Sequence, residues 1–180
     1  MEGTSQALPN TIRFVGLLGS HALGSNPRFM ATAVDLGREL VRREIRLTYG
    51  GGNIGLQGVV ASTVYNNGGR VRGFIPGYIA TRGVYGPTYG AEYTVSSNYY
   101  KYFEMNHIVE AFIVLPGGID TIEGRTSWPP TRGKLFISSF FVDELLDKLE
   151  FAKAFPGPGA SYEEFANPGR DVEEDADAGL

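Results

Sequence analysis

Residues 45–76 read IRLTYGGGNIGLQGVVASTVYNNGGRVRGFIP, and the punctuation of this stretch decides the fold class. Ile45 to Tyr49 is a short apolar run that stops at Gly50, Gly51 and Gly52, as a buried strand stops in a turn. Leu56 to Tyr65 follows as a helix, closed by Asn66-Asn67-Gly68-Gly69. A further strand, VRGFIP, occupies 71–76. Strand, helix and strand joined this tightly make a parallel pair with a helix packed against it.

Outward from this unit the same grammar repeats. Upstream, Ile12 to Leu18 reads as a strand ending at Gly19-Ser20, and Pro27 opens a helix in which Phe29, Ala33, Leu36, Leu40 and Val41 recur at helical spacing. Downstream, 77–98 is rich in Gly, Tyr and Thr without a clear period, so a loop with one short strand around Tyr93 to Val95 is expected. Tyr99 to Val109 predicts a helix, AFIVL at 111–115 a strand, and Val142 to Ala154 a last helix. The expected architecture is α/β: a doubly wound, mostly parallel, Rossmann-like sheet with helices on both faces and a foreshortened C-terminal part. Residues 11–154 should form one domain, between a flexible 1–10 and an acidic, Pro/Gly-rich 155–180 expected to be disordered.

Bulk properties narrow the function. A net charge of −4 gives no electrostatic reason to expect nucleic acid as a partner. The chain has no cysteine, which excludes disulfides and thiolate metal sites, and its two histidines, His21 and His107, lie far apart. MEGTSQALPN lacks the basic and apolar regions of a signal peptide, and no apolar stretch is long enough to cross a bilayer. The expectation is a protein of the cytoplasm, and also of the nucleus, without a membrane partner.

Two glycine-rich turns carry the chemistry. Gly50, Gly52 and Gly55 spell GxGxxG between a strand and a helix, where glycine lets the backbone approach a phosphate and the first amides of the helix donate to it. The alternative is that these glycines only make a tight turn. A nicotinamide site would need an acid at the end of the next strand, but that strand ends Phe74-Ile75-Pro76, which rejects a dehydrogenase. The second turn, Pro116-Gly117-Gly118-Ile119-Asp120-Thr121, hands the 111–115 strand to a helix, with Ile122 and Glu123 just beyond. In an open parallel sheet both turns and Gly19-Ser20 gather at the carboxyl edge of the strands, where ligands bind.

The segments RELVRREIRLTYGGGNIGLQGVVASTVYNNGGRVRGFIP and EAFIVLPGGIDTIEG resemble the LOG ("Lonely guy") family of cytokinin riboside 5'-monophosphate phosphoribohydrolases. The likeness runs from about Ile12 to Glu123, and more faintly through DELLDKLE at 143–150. It implies a homodimer that hydrolyses the N-glycosidic bond of a nucleoside 5'-monophosphate, a cytokinin ribotide or AMP, with no metal or organic cofactor. It also implies a substrate site made of Gly19, Ser20, Gly50, Gly51, Gly52, Tyr102 and Pro116 to Ile122, with Glu123 and Lys101 as catalytic groups.

The departures fall on the acid and the cation. In the family pattern PGGxGTxxE the second glycine is Asp120 and the final Glu falls on Gly124, leaving Glu123 one position early. One residue turns a helical side chain by about 100°. The family's Arg-Lys pair aligns with Lys101-Tyr102, and lysine keeps the charge but loses the bidentate fork. GRTSWPPTRGKLFISS stands where the family continues with further elements. The alternative function is therefore a LOG-like protein that binds nucleotides or a partner without turnover. Trp128 is read as a loop residue, the tyrosines of 77–102 as cover for a loop-rich face, His21 as incidental, and Asp143, Glu144, Asp147, Lys148 and Glu150 as a helix surface with no site.

Overall fold

A computed structural model describes residues 11–19, 21–115 and 141–154. Its elements are β1 (Phe14–Leu18), α1 (Pro27–Arg42), β2 (Arg46–Tyr49), α2 (Gly55–Asn66), β3 (Val71–Pro76), α3 (Gly77–Arg82), β4 (Ala91–Val95), α4 (Asn98–Ile108), β5 (Ala111–Val114) and α5 (Val142–Ala154). The strands form one sheet in the order β4-β3-β2-β1-β5, every neighbouring pair parallel. The chain steps outward from β1 to β4 and then returns to place β5 on the other side of β1. The order of winding therefore reverses between β1 and β5, at the carboxyl ends of the strands that precede Gly19 and residue 115.

Both faces of the sheet are covered, unequally. Val15, Leu17, Leu47, Tyr49 and Val71 point to the face where α1, α2 and α5 pack, with Leu36, Leu40, Leu56, Val60, Val64 and Leu146 filling the layer between. Asn26 starts α1 by accepting from the Arg28 amide at 3.0 Å, and Pro27 supplies the fixed φ of the first turn. The other face carries a smaller cluster, Leu18, Phe74 and Met105, beneath α4. Met105 and Lys101 are four residues apart on α4 and are its two buried residues, so one helical stripe faces the sheet.

The stretch 77–98 has the expected strand at Tyr93 to Val95 but is more ordered than the expected loop. It holds a one-and-a-half-turn helix, α3, and a full edge strand, β4, paired to β3 from Arg72↔Ala91 to Pro76↔Val95. The strand is expected from sequence only around Tyr93 to Val95; four of its five residues are exposed, so burial imposes no alternation that would mark its full length.

Helix α5 corrects another expectation. Glu150 is no surface residue: it is buried, and its carboxylate accepts from the Thr11 amide (2.9 Å), the Thr11 hydroxyl (2.8 Å) and the Ile12 amide (2.9 Å). Asp147 accepts from buried Arg43 at 2.7 Å, and Lys153 donates to the Thr11 carbonyl and pairs with Glu110. A helix distant in sequence is thereby clamped to the entry of β1. Glu150→Ala strips the acceptor from these donors and is expected to cost about 2 to 3 kcal/mol, read as a lower urea midpoint at unchanged m-value.

Candidate functional site

The loops that leave β1 and β2 meet through one side chain. Gln57, in the first turn of α2, donates to the Gly19 carbonyl at 2.6 Å and accepts from the Gly50 amide at 3.1 Å. Gly19 also lies against Leu115, where β5 ends. The carboxyl ends of β1, β2 and β5 thus converge among the described residues. Sequence reasoning missed Gln57, which carried no signal beyond its place one turn into a helix.

The GGGNIG turn is held by the protein itself. The Gly52 amide donates to the Thr88 hydroxyl at 2.9 Å, Asn53 to the Tyr85 carbonyl at 2.8 Å, and Leu56 to the Ala22 carbonyl at 3.3 Å. Buried Tyr49 donates to the Gly52 carbonyl at 2.5 Å and accepts from the Tyr89 amide at 2.9 Å; burial pushes its phenol up to about 12. The expectation that the amides of Gly50 and Gly52 surround an anion is therefore corrected. Both are already used: the Gly50 amide by Gln57, and the Gly52 amide by Thr88 of the 85–89 segment, which folds over the turn. His21 is not incidental either: it stacks face to face on Tyr85, with ring centroids 3.8 Å apart and planes 2° from parallel.

What the edge does present is a cation. Lys101 is only 7% exposed, and among the described residues it has no ion-pair partner. A Cβ built on Gly50 would lie 2.9 Å from its Nζ, so the missing side chain is what admits the ammonium against the turn. Burial alone drops its pKa from 10.5 to about 8. Tyr102 packs beside it on the second-face cluster, its ring centroid 5.3 Å from Nζ. An ammonium buried at a switch point, with no carboxylate beside it among the described residues, is suited to meet an anionic ligand.

Ser20, Pro116 to Ile122, Glu123, Gly124 and Trp128 lie outside the described residues, as do the expected flexible 1–10 and acidic 155–180. Among the described residues no group of three or more His, Asp or Glu side chains could hold a metal ion, and no helix is long and apolar enough to cross a membrane.

With this geometry in place, relatives can be compared. No protein-family model matches the chain. It is 39% identical over 123 residues to the probable cytokinin riboside 5'-monophosphate phosphoribohydrolase LOG4 of Oryza sativa subsp. japonica, covering 68% of this chain and 54% of that protein. To LOG7 of Arabidopsis thaliana it is 41% identical over 100 residues, 56% of this chain and 46% of that one. Over the matched residues the chain is a homologue of the LOG proteins. It spans about half the length of the LOG proteins it matches. Among solved structures, the Moco carrier protein of Chlamydomonas reinhardtii aligns at a TM-score of 0.50 and 13% identity, over 64% of this chain and 68% of that one. At that identity the likeness shows the fold alone, a Rossmann-like sheet.

Proposed function

We propose that the chain binds a cytokinin riboside 5'-monophosphate at the carboxyl edge of β1, β2 and β5 and hydrolyses its N-glycosidic bond. The observation that carries this is the buried Lys101 ammonium set against Gly50, without a counter-ion among the described residues, where the loops converge. The kinship with LOG phosphoribohydrolases supports the substrate class.

The proposed division of labour follows from charge. Lys101 neutralises the 5'-phosphate, Gly19, Ser20 and Gly50 to Gly52 shape the floor under the ribose, and Pro116 to Ile122 contribute amides and the Thr121 hydroxyl. As the bond from the anomeric carbon to the base nitrogen breaks, its electron pair leaves with the base and positive charge grows on the sugar. Glu123 stabilises that charge and orients the water, whose hydroxyl joins the anomeric carbon while its proton goes to the base. The products are free base and ribose 5-phosphate.

One observation favours a second reading, binding without turnover: Gly124 occupies the position of the motif's final glutamate. Incubating the purified chain with isopentenyladenosine monophosphate and measuring free base separates the two. Release above background supports hydrolysis; retained binding with no release supports the second reading. If Gly124→Glu raises base release by tenfold or more, roughly 1.4 kcal/mol of barrier, the pocket lacks only that carboxylate. The expected homodimer is supported by Tyr99, Tyr100 and Phe103, exposed and in mutual ring contact on α4 beside the site; light scattering should give twice the chain mass.

A further inference from the structure

At the opposite edge of the sheet, where β1, β2 and β3 begin, a cleft of about 540 Å³ opens. Arg13, Arg46 and Arg70, one at the entry of each strand, line it together with Glu44 and the Gly68-Gly69 turn. The strands run parallel, with Phe14 paired to Arg46 and Leu47 to Val71, so the three arginines are brought side by side by the register. All three are exposed, and none forms an ion pair or side-chain hydrogen bond among the described residues. Arg46 rests over the Phe14 ring at 5.0 Å, which steadies the guanidinium without neutralising it. Glu44 offsets one of the three charges and leaves the cleft basic.

Helix α5 ends at this same edge. Lys153, one residue before its end, donates to the carbonyl of Thr11, two residues from Arg13. The chain then continues for residues 155–180, and Asp171, Glu173, Glu174, Asp175 and Asp177 fall within one short run of it. A chain of the length between Ala154 and Asp171 can span at most roughly 60 Å, enough to reach the cleft. Covalent attachment makes the acidic run's encounter with the cleft intramolecular, which favours it over a free anion of the same charge.

We propose that the acidic segment 171–177 docks in the cleft of Arg13, Arg46 and Arg70 of its own chain. The contacts are carboxylate to guanidinium, partly exposed, and therefore weakened by salt. The contact lies at the amino edge of the sheet, remote from the proposed nucleotide site, and competes there with any other polyanion.

Because the chain has no cysteine, a spin label on Ala176→Cys reports the tail's position alone. The amide signals of Arg46, Gly68, Gly69 and Arg70 should lose at least about half their intensity, while Gly50 and Gly51 keep theirs, with recovery at about 0.5 M salt. The double variant Arg46→Ser, Arg70→Ser, at exposed positions, should abolish the effect in a folded protein. Broadening spread evenly over the surface, centred elsewhere, or unaffected by the double variant overturns the proposal. So does broadening carried at full strength to unlabelled chains mixed with labelled ones, which would place a second copy's tail in the cleft.

Discussion

Lys101→Met should produce a more stable protein that has lost its affinity for AMP. The ordinary lysine pKa of 10.5 falls to about 8 in the folded chain because the ammonium is buried. Between those values the unfolded chain binds more protons than the folded one, so stability rises with pH through this window and the full penalty is present below pH 8. The shift corresponds to about 3 kcal/mol at neutral pH, which an apolar side chain of similar length should return as a higher urea midpoint. Affinity for AMP should fall by about ten- to a hundredfold with loss of the charge-assisted contact to phosphate. A variant less stable than the parent would mean that the ammonium has found a counter-charge and is no vacant binding group. The same titration gives a pH signature. Binding by the parent should weaken as pH rises through about 8, while Lys101→Arg, which stays protonated, should hold its affinity.

The second large effect is expected at the GGGNIG turn. Gly55 has φ +67°, and a Cβ there would sit 2.2 Å from the backbone carbon of His21 and 2.5 Å from its Cα. Gly52 has φ +78° with the Tyr85 carbonyl oxygen 2.4 Å from the same built position. Backbone cannot step aside as a side chain would, so Gly55→Ala adds left-handed strain to a main-chain clash. A loss of about 4 kcal/mol or more is expected, seen as a collapse of the thermal midpoint and of the soluble yield. The contrary result, a small loss at Gly55 with a large loss of AMP affinity, would return these glycines to the role of phosphate contacts.

Most of the sheet was legible because burial writes itself into sequence. β1, β2, β3 and β5 are short apolar runs stopped by glycine or proline, and α1 and α2 present apolar residues at helical spacing. Where burial is absent the reading thins: exposed β4 was legible only around Tyr93 to Val95, and α3, with no buried residue, was not legible at all. The glycines at 50–55 were found for a reason that proved incomplete. Their spacing suits a phosphate, yet the structure accounts for Gly52 and Gly55 by the close approach of Tyr85 and His21, contacts set by loops distant in sequence. Gln57 and Glu150 were invisible for the same cause: each is an ordinary helical polar residue until the fold brings Gly19 or Thr11 to it. Lys101 was visible only as a cation by resemblance; its burial, which gives it its chemistry, belongs to the stripe it shares with Met105.

The measurement that bears most directly on the nucleotide site is the map of amide shifts when AMP is added to the full chain. The largest changes should fall at Gly19, Gly50, Gly51, Lys101 and Leu115, and should vanish in Lys101→Met. Changes centred instead on Arg13, Arg46 and Arg70 would put the phosphate at the wrong edge of the sheet and contradict the assignment.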